Sequence, residues 1–208
     1  MKSIQSVART PVSIRSTRSL TLLAMCIAVL VVLSQINIPQ PAGLSITFNM
    51  IPVAIAAIAL GMPGGAIVGG AFGLISFLQC FGILGYSAMG AALVNVSPFL
   101  MLVQRFGSRI LVGILSALVY RLLSKTGMNH KLVFTITGFS AAFFNTLLFM
   151  TTLVLLFGHS EYMQGLMAGR SVLAFIIASV GINAVVEMVV SALVTGGIAT
   201  ALRKASLL

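Results

Sequence analysis

Between Leu20 and Gln104 the chain carries not one Asp, Glu, Lys, Arg or His. Apolar runs are separated there by short punctuation of Gly, Pro, Asn and Gln, and the alternation of long apolar run and short polar gap continues to Arg203 and Lys204. A helix rising ~1.5 Å per residue needs about 20 apolar residues to cross a bilayer. The pattern therefore predicts an all-α membrane protein with six transmembrane helices in a compact bundle. Their approximate spans are 20–36, 48–61, 64–84, 105–124, 132–157 and 172–202, all within one domain over 20–204. Span 48–61 is short for a crossing and leads at once through Gly61-Met62-Pro63 into the third, so the two are expected to form a tight helical hairpin. Residues 39–47 form a polar loop, while 85–104, broken by glycines, Asn95 and Pro98, are expected to form a structured loop partly at membrane depth. The last two spans exceed one bilayer thickness and are expected to tilt or project.

Charge then orients the bundle. Six spans put both ends on one side. With the N-terminus inside, the inner parts hold Lys2, Arg9, Arg15, Arg18, Arg121, Lys125, Lys131, Arg203 and Lys204, against Arg105, Arg109 and Arg170 outside. Positive residues favour the cytoplasmic side, so both termini are expected there, with residues 1–19 a basic cytoplasmic segment. No convincing small-x-small cleavage site follows that segment. The formal charge of +10, from 12 basic and 2 acidic residues, falls in the gaps between apolar runs. It serves topology and lipid headgroups, and no nucleic-acid partner is expected. With 59% hydrophobic residues, 7% charged and a mean hydropathy of +1.16, a water-soluble fold is excluded.

Candidate chemistry is sparse, which makes its location informative. Gly61, Gly65, Gly69 and Gly73 recur every four residues, a side-chain-free stripe best read as close helix packing; no GK[ST] closes it, so no ATPase is visible. Ala24 and Ala28 form a smaller stripe of the same spacing, for which internal packing is the default reading. Cys26 and Cys80 lie far apart within apolar stretches and read as small buried hydrophobes. His130 and His159 fall in opposite loops, and no HExxH or GxSxG is present, so neither an enzyme nor a metal site is expected. Polar groups in hydrocarbon are costly and mark function or interhelical clamps. Asn145 is central in the fifth span, and Asn183 and Glu187, one helical turn apart, lie in the sixth. Glu187 is the only acidic residue within a span. Near the outer ends of spans two to four gather Asn49, Gln79, Tyr86, Asn95, Arg105 and Arg109; the two arginines, four apart, share a helix face suited to a carboxylate or to headgroups.

Taken in order, AMCIA, ITFNMIPVAIAAIALGMPGGAIVGGAFGLISF, NVSPFLMLVQRFGSRILVGILSALVYRLL, FFNTLLFM and NAVVEMVV make nearly the whole chain resemble the substrate-binding S component of an energy-coupling factor (ECF) vitamin transporter. The resemblance implies a six-helix bundle binding a vitamin at its outer end. It also implies a transmembrane scaffold (T) subunit and two cytoplasmic ATPases, with ATP used by those partners and no cofactor in this chain. In that family an AxxxA face on the first helix docks on the scaffold, a role that would fall to Ala24 and Ala28, and the S component topples in the membrane to deliver its ligand. FFNTLLFM and NAVVEMVV look most like the pantothenate type, whose ligand carries one carboxylate. Asn49, Gln79, Tyr86, Asn95, Arg105, Asn145, Asn183 and Glu187 are then the expected ligand-binding residues. A pyridoxine or hydroxymethylpyrimidine S component is the alternative within the family. A solitary secondary carrier working without ATPases is the alternative outside it.

Overall fold

At Gly61 the backbone takes φ 69° and ψ −156°, a conformation that only glycine adopts without strain, and the chain doubles back. Residues eight apart on a straight helix are separated by ~12 Å. Here a Cβ built on Gly65 would lie 3.2 Å from the Ala57 side chain. The expected hairpin of short segment and glycine-rich segment is thus one helical stretch, α2 (Met50–Leu78), folded at Gly61 and followed by a single 3-10 turn, Gln79–Phe81. Pro63 lies just beyond the bend, where a missing N–H costs no helical hydrogen bond.

The structure, a computed structural model, describes residues 16–36, 38–39, 45–167 and 171–205; of 38–39, 45–46, 172–180, 182 and 183 it describes the backbone alone. Helix α1 (Thr17–Ser34) begins at Ser16, whose hydroxyl accepts from the Ser19 N–H. A two-residue antiparallel bridge, Ile38–Pro39 with Ser45–Ile46, precedes α2. Then come α3 (Ala88–Val94), α4 (Pro98–Leu102), α5 (Ser108–Leu123), α6 (His130–Phe157), α7 (Glu161–Met167) and α8 (Val172–Lys204). Helix α8 is broken at Gly181.

Among the described residues five stretches are long and apolar enough to cross a membrane: Thr17–Ser34, Met50–Phe81, Pro98–Leu123, His130–Phe157 and Ala184–Lys204. The pattern predicted six spans, and the difference lies in the folded Met50–Phe81 stretch, whose two arms are counted together. The region expected as a loop over 85–104 is largely helical. Ser97 caps α4 through the Leu100 N–H, with Pro98 in the first turn where proline is tolerated, so helical structure starts well before Arg105. Between α4 and α5 the helix widens into a π-type turn over Val103–Gly107, an insertion common at functional sites.

Packing places α2 at the centre. Three of the four glycines in the expected stripe give the close packing read from their spacing, while Gly61 is the bend itself and packs on no neighbouring helix: a Cβ on Gly65 would collide with the Gly113 carbonyl, one on Gly69 with the Arg109 carbonyl, and one on Gly73 would come 2.7 Å from Phe106 Cα. Helix α5 therefore lies backbone to backbone on the second arm of α2. At one end Ile58, Phe134, Ala199 and Tyr120 pack together, with the His130 ring tilted against that of Phe134 and within electrostatic reach of Arg203. That basic end also holds Arg121, Lys125, Lys131 and Lys204. The opposite, loop-rich end is closed by α3, α4 and α7 over a core of Met89, Leu93, Met101, Met150, Leu153 and Met163.

Candidate functional site

The π-type turn and the start of α5 carry Gln104, Arg105 and Arg109 inward at the loop-rich end. Arg105 is 7% exposed and Arg109 5%, a rare condition for guanidiniums, which are almost never buried unless paired. Arg105 is held by α2 and α3: Nη1 donates to Ser76 Oγ at 3.1 Å and Nη2 to Ser87 Oγ at 3.2 Å. Ser87 is also the cap of α3, accepting from the Gly90 N–H. Arg109 sits between two rings, 4.8 Å from the Phe72 centroid and 5.0 Å from that of Phe149; Arg105 lies over the same Phe149 at 5.1 Å. Each desolvated contact of this kind is worth ~2 kcal/mol, while burying an unpaired ion still costs several kcal/mol.

The hydrogen-bonding capacity is only partly used. Arg109 makes one long bond, Nη1 to Ser108 Oγ at 3.5 Å, and the Nε of both arginines has no partner. Asn145, one turn before Phe149 on α6, is 8% exposed with an unpartnered Oδ1. Asn49, at the start of α2, and Gln104 likewise keep buried, unpartnered carbonyl oxygens, although Gln104 Nε2 donates to the Phe149 carbonyl at 3.4 Å. Glu187 on α8 accepts from the Thr47 N–H at 2.7 Å and lies within electrostatic reach of Arg109. Among the described residues no carboxylate forms a salt bridge with Arg105 or Arg109. Buried donors without partners are costly to keep, and such a set of donors, acceptors and positive charge is suited to a small polar anion.

The sequence-predicted residues thus fall into groups. Arg105 lies over Phe149, one turn along α6 from Asn145, whose Oδ1 is buried; Asn49 lies buried at the start of α2, and Glu187 reaches Arg109 electrostatically. Gln79 is buried but fully engaged as a tie, its Nε2 donating to the Ser34 and Leu84 carbonyls, both at 3.1 Å. Tyr86 is 67% exposed, and Asn95 is exposed with its amide donating to Ala91 in its own helix; neither is brought to the arginines. The Asn183 side chain lies outside the described residues. Ala24 and Ala28 are exposed on α1, whose buried face is Ser19, Leu23, Cys26, Leu30 and Ser34, so internal packing does not account for the stripe. Arg109 had been paired with Arg105 by spacing but not ranked among the contacts. Phe72, Phe149, Ser76 and Gln104 were missed; for Phe149 the signal was its position four residues after Asn145.

Fold and site together define a multi-pass membrane protein with two arginines and several polar side chains buried within an apolar helix bundle. The family model for the ECF transporter, substrate-specific component, matches residues 18–199, and the chain belongs to that family. It is 29% identical over 205 residues to "Pantothenic acid transporter PanT" of Lactococcus lactis subsp. cremoris (strain MG1363), spanning 88% of this chain and 93% of the relative. The protein is therefore a transporter component of the plasma membrane.

Proposed function

We propose that this chain is the pantothenate-binding subunit of an ECF-type importer. The observation that carries the reading is the pair of buried arginines over Phe149 with no carboxylate in a salt bridge to them among the described residues. A ligand with one carboxylate supplies the missing anion, and its amide and hydroxyl groups match the unpartnered oxygens of Asn49, Gln104 and Asn145. The name of the Lactococcus relative agrees with this assignment.

The same reading takes the chain across the membrane six times with both termini cytoplasmic: the reversal at Gly61 supports counting the arms of α2 separately, and the positive residues at the basic end support the orientation. Family membership supports a scaffold subunit and two ATPases as partners, ATP being used there. Ala24 and Ala28, exposed on α1, are the proposed docking face, and toppling of the whole bundle is the proposed delivery step.

The test is saturable binding of labelled pantothenate to purified protein. Folded protein without binding rejects the substrate, and unchanged affinity in Arg105→Ala rejects the carboxylate clamp. Transport by the chain alone in liposomes without ATP would establish a secondary carrier instead.

A further inference from the structure

Arg105 is gripped at both tips of its fork by neutral groups. Nη1 donates to Ser76 Oγ at 3.1 Å, on the second arm of α2, and Nη2 to Ser87 Oγ at 3.2 Å, at the start of α3. The surroundings are close. A Cβ built on Gly90 would come 2.6 Å from Cys80 Sγ, 2.9 Å from Ser87 Oγ and 3.2 Å from Arg105 Nη2, so the first turn of α3 lies with bare backbone against the guanidinium. The Ser87 hydroxyl accepts twice, from Arg105 and from the Gly90 N–H at 3.2 Å. The bond that starts α3 and the bond that directs the arginine therefore share one atom. Hydroxyls orient a guanidinium without neutralising it. Arg105 keeps an unpartnered Nε, and its charge is left uncompensated by the serines that hold it. A carboxylate in place of either hydroxyl would grip the fork more strongly and occupy that charge.

We propose that Ser87 is a positioning residue for the anion-binding arginine. Its hydroxyl fixes the direction in which Arg105 presents its charge and, being neutral, leaves that charge to the carboxylate of the ligand. Ser87 acts through Arg105 and needs no ligand contact of its own. The inference rests on the pantothenate reading given above and adds to it what aims the guanidinium.

The start of α3 and the aim of Arg105 are separable. Dissociation constants for pantothenate and for its neutral alcohol analogue pantothenol are measured on the purified full chain, together with thermal unfolding of each variant. In Ser87→Asp the side chain still caps α3, so the protein melts no lower than wild type, but the new carboxylate pairs with Arg105. Pantothenate then loses affinity relative to pantothenol on the order of tenfold. Ser87→Ala lowers the same preference by a comparable factor, and Ser87→Thr, which keeps a hydroxyl, retains it. Ser97→Ala is the control: Ser97 likewise caps a short helix, through the Leu100 N–H, without holding Arg105. Its loss costs stability and leaves the preference as in wild type. A preference unchanged in folded Ser87→Asp, or lowered equally in Ser97→Ala, overturns the proposal. Folded wild-type protein that binds neither probe removes the pantothenate reading itself, and the role of Ser87 with it.

Discussion

Gly73→Ala tests whether the glycine stripe positions the arginines. A methyl group at Gly73 would come 2.7 Å from Phe106 Cα and 2.9 Å from the Arg105 carbonyl, whereas ordinary contact begins at 3.4 Å. Both obstacles are backbone, which cannot rotate aside. The π-type turn before α5 must retreat by about 0.7 Å, carrying Arg105 with it. Overpacking of this kind costs ~1–3 kcal/mol of stability. Binding groups need placement within ~0.5 Å, so pantothenate affinity should fall by an order of magnitude or more. Gly70→Ala is the matched control: its methyl would meet only side chains, at 3.5 Å or beyond. Thermal unfolding in detergent and equilibrium binding of labelled pantothenate are measured on both variants. If Gly73→Ala melts and binds as Gly70→Ala does, the stripe does not hold the arginines in place.

Arg109→Lys keeps a cation but loses the flat group sandwiched by Phe72 and Phe149; affinity should drop at least ~10-fold by equilibrium binding, and an unchanged constant would refute a stacking role. Gln79→Ala strands the Ser34 carbonyl, while that of Leu84 keeps the Gln35 amide, and should lower stability by ~1–3 kcal/mol in thermal unfolding, with a smaller effect on the affinity of the protein that remains folded. Ala24→Leu with Ala28→Leu should leave pantothenate binding intact in the isolated subunit while abolishing co-purification of the scaffold subunit; retained co-purification would place the docking face elsewhere.

The apolar runs made most of the bundle legible, because hydrocarbon solvent demands helices and the chain has few other residues to offer. The hairpin was readable from Gly61 and Pro63, and the close α2–α5 contact from glycine spacing. Helix α4 was not, since glycines and Pro98 read as breakers when in fact Ser97 and Pro98 form a helix start. Arg105, Asn145 and Glu187 were legible as polar groups that hydrocarbon would penalise. Phe72 and Phe149 were not, because an aromatic ring beneath a guanidinium looks like any other apolar residue until the third dimension brings them together. Tyr86 and Asn95 shared the loop-rich end with the arginines, but proximity along the chain says nothing about which way a short helix faces.

The backbone-to-backbone seam between α2 and α5 has a mechanical consequence. Where Gly65 abuts Gly113 and Gly69 abuts Arg109, there is no side-chain layer to shear, so neither helix can slide or pivot against its neighbour without prising main chain from main chain. A carrier jointed at that seam would have to break its own binding groups apart at every stroke. If Arg105 and Arg109 hold the cargo as proposed, it is better moved by tilting the entire body, as one tips a cup, than by opening a gate through its middle.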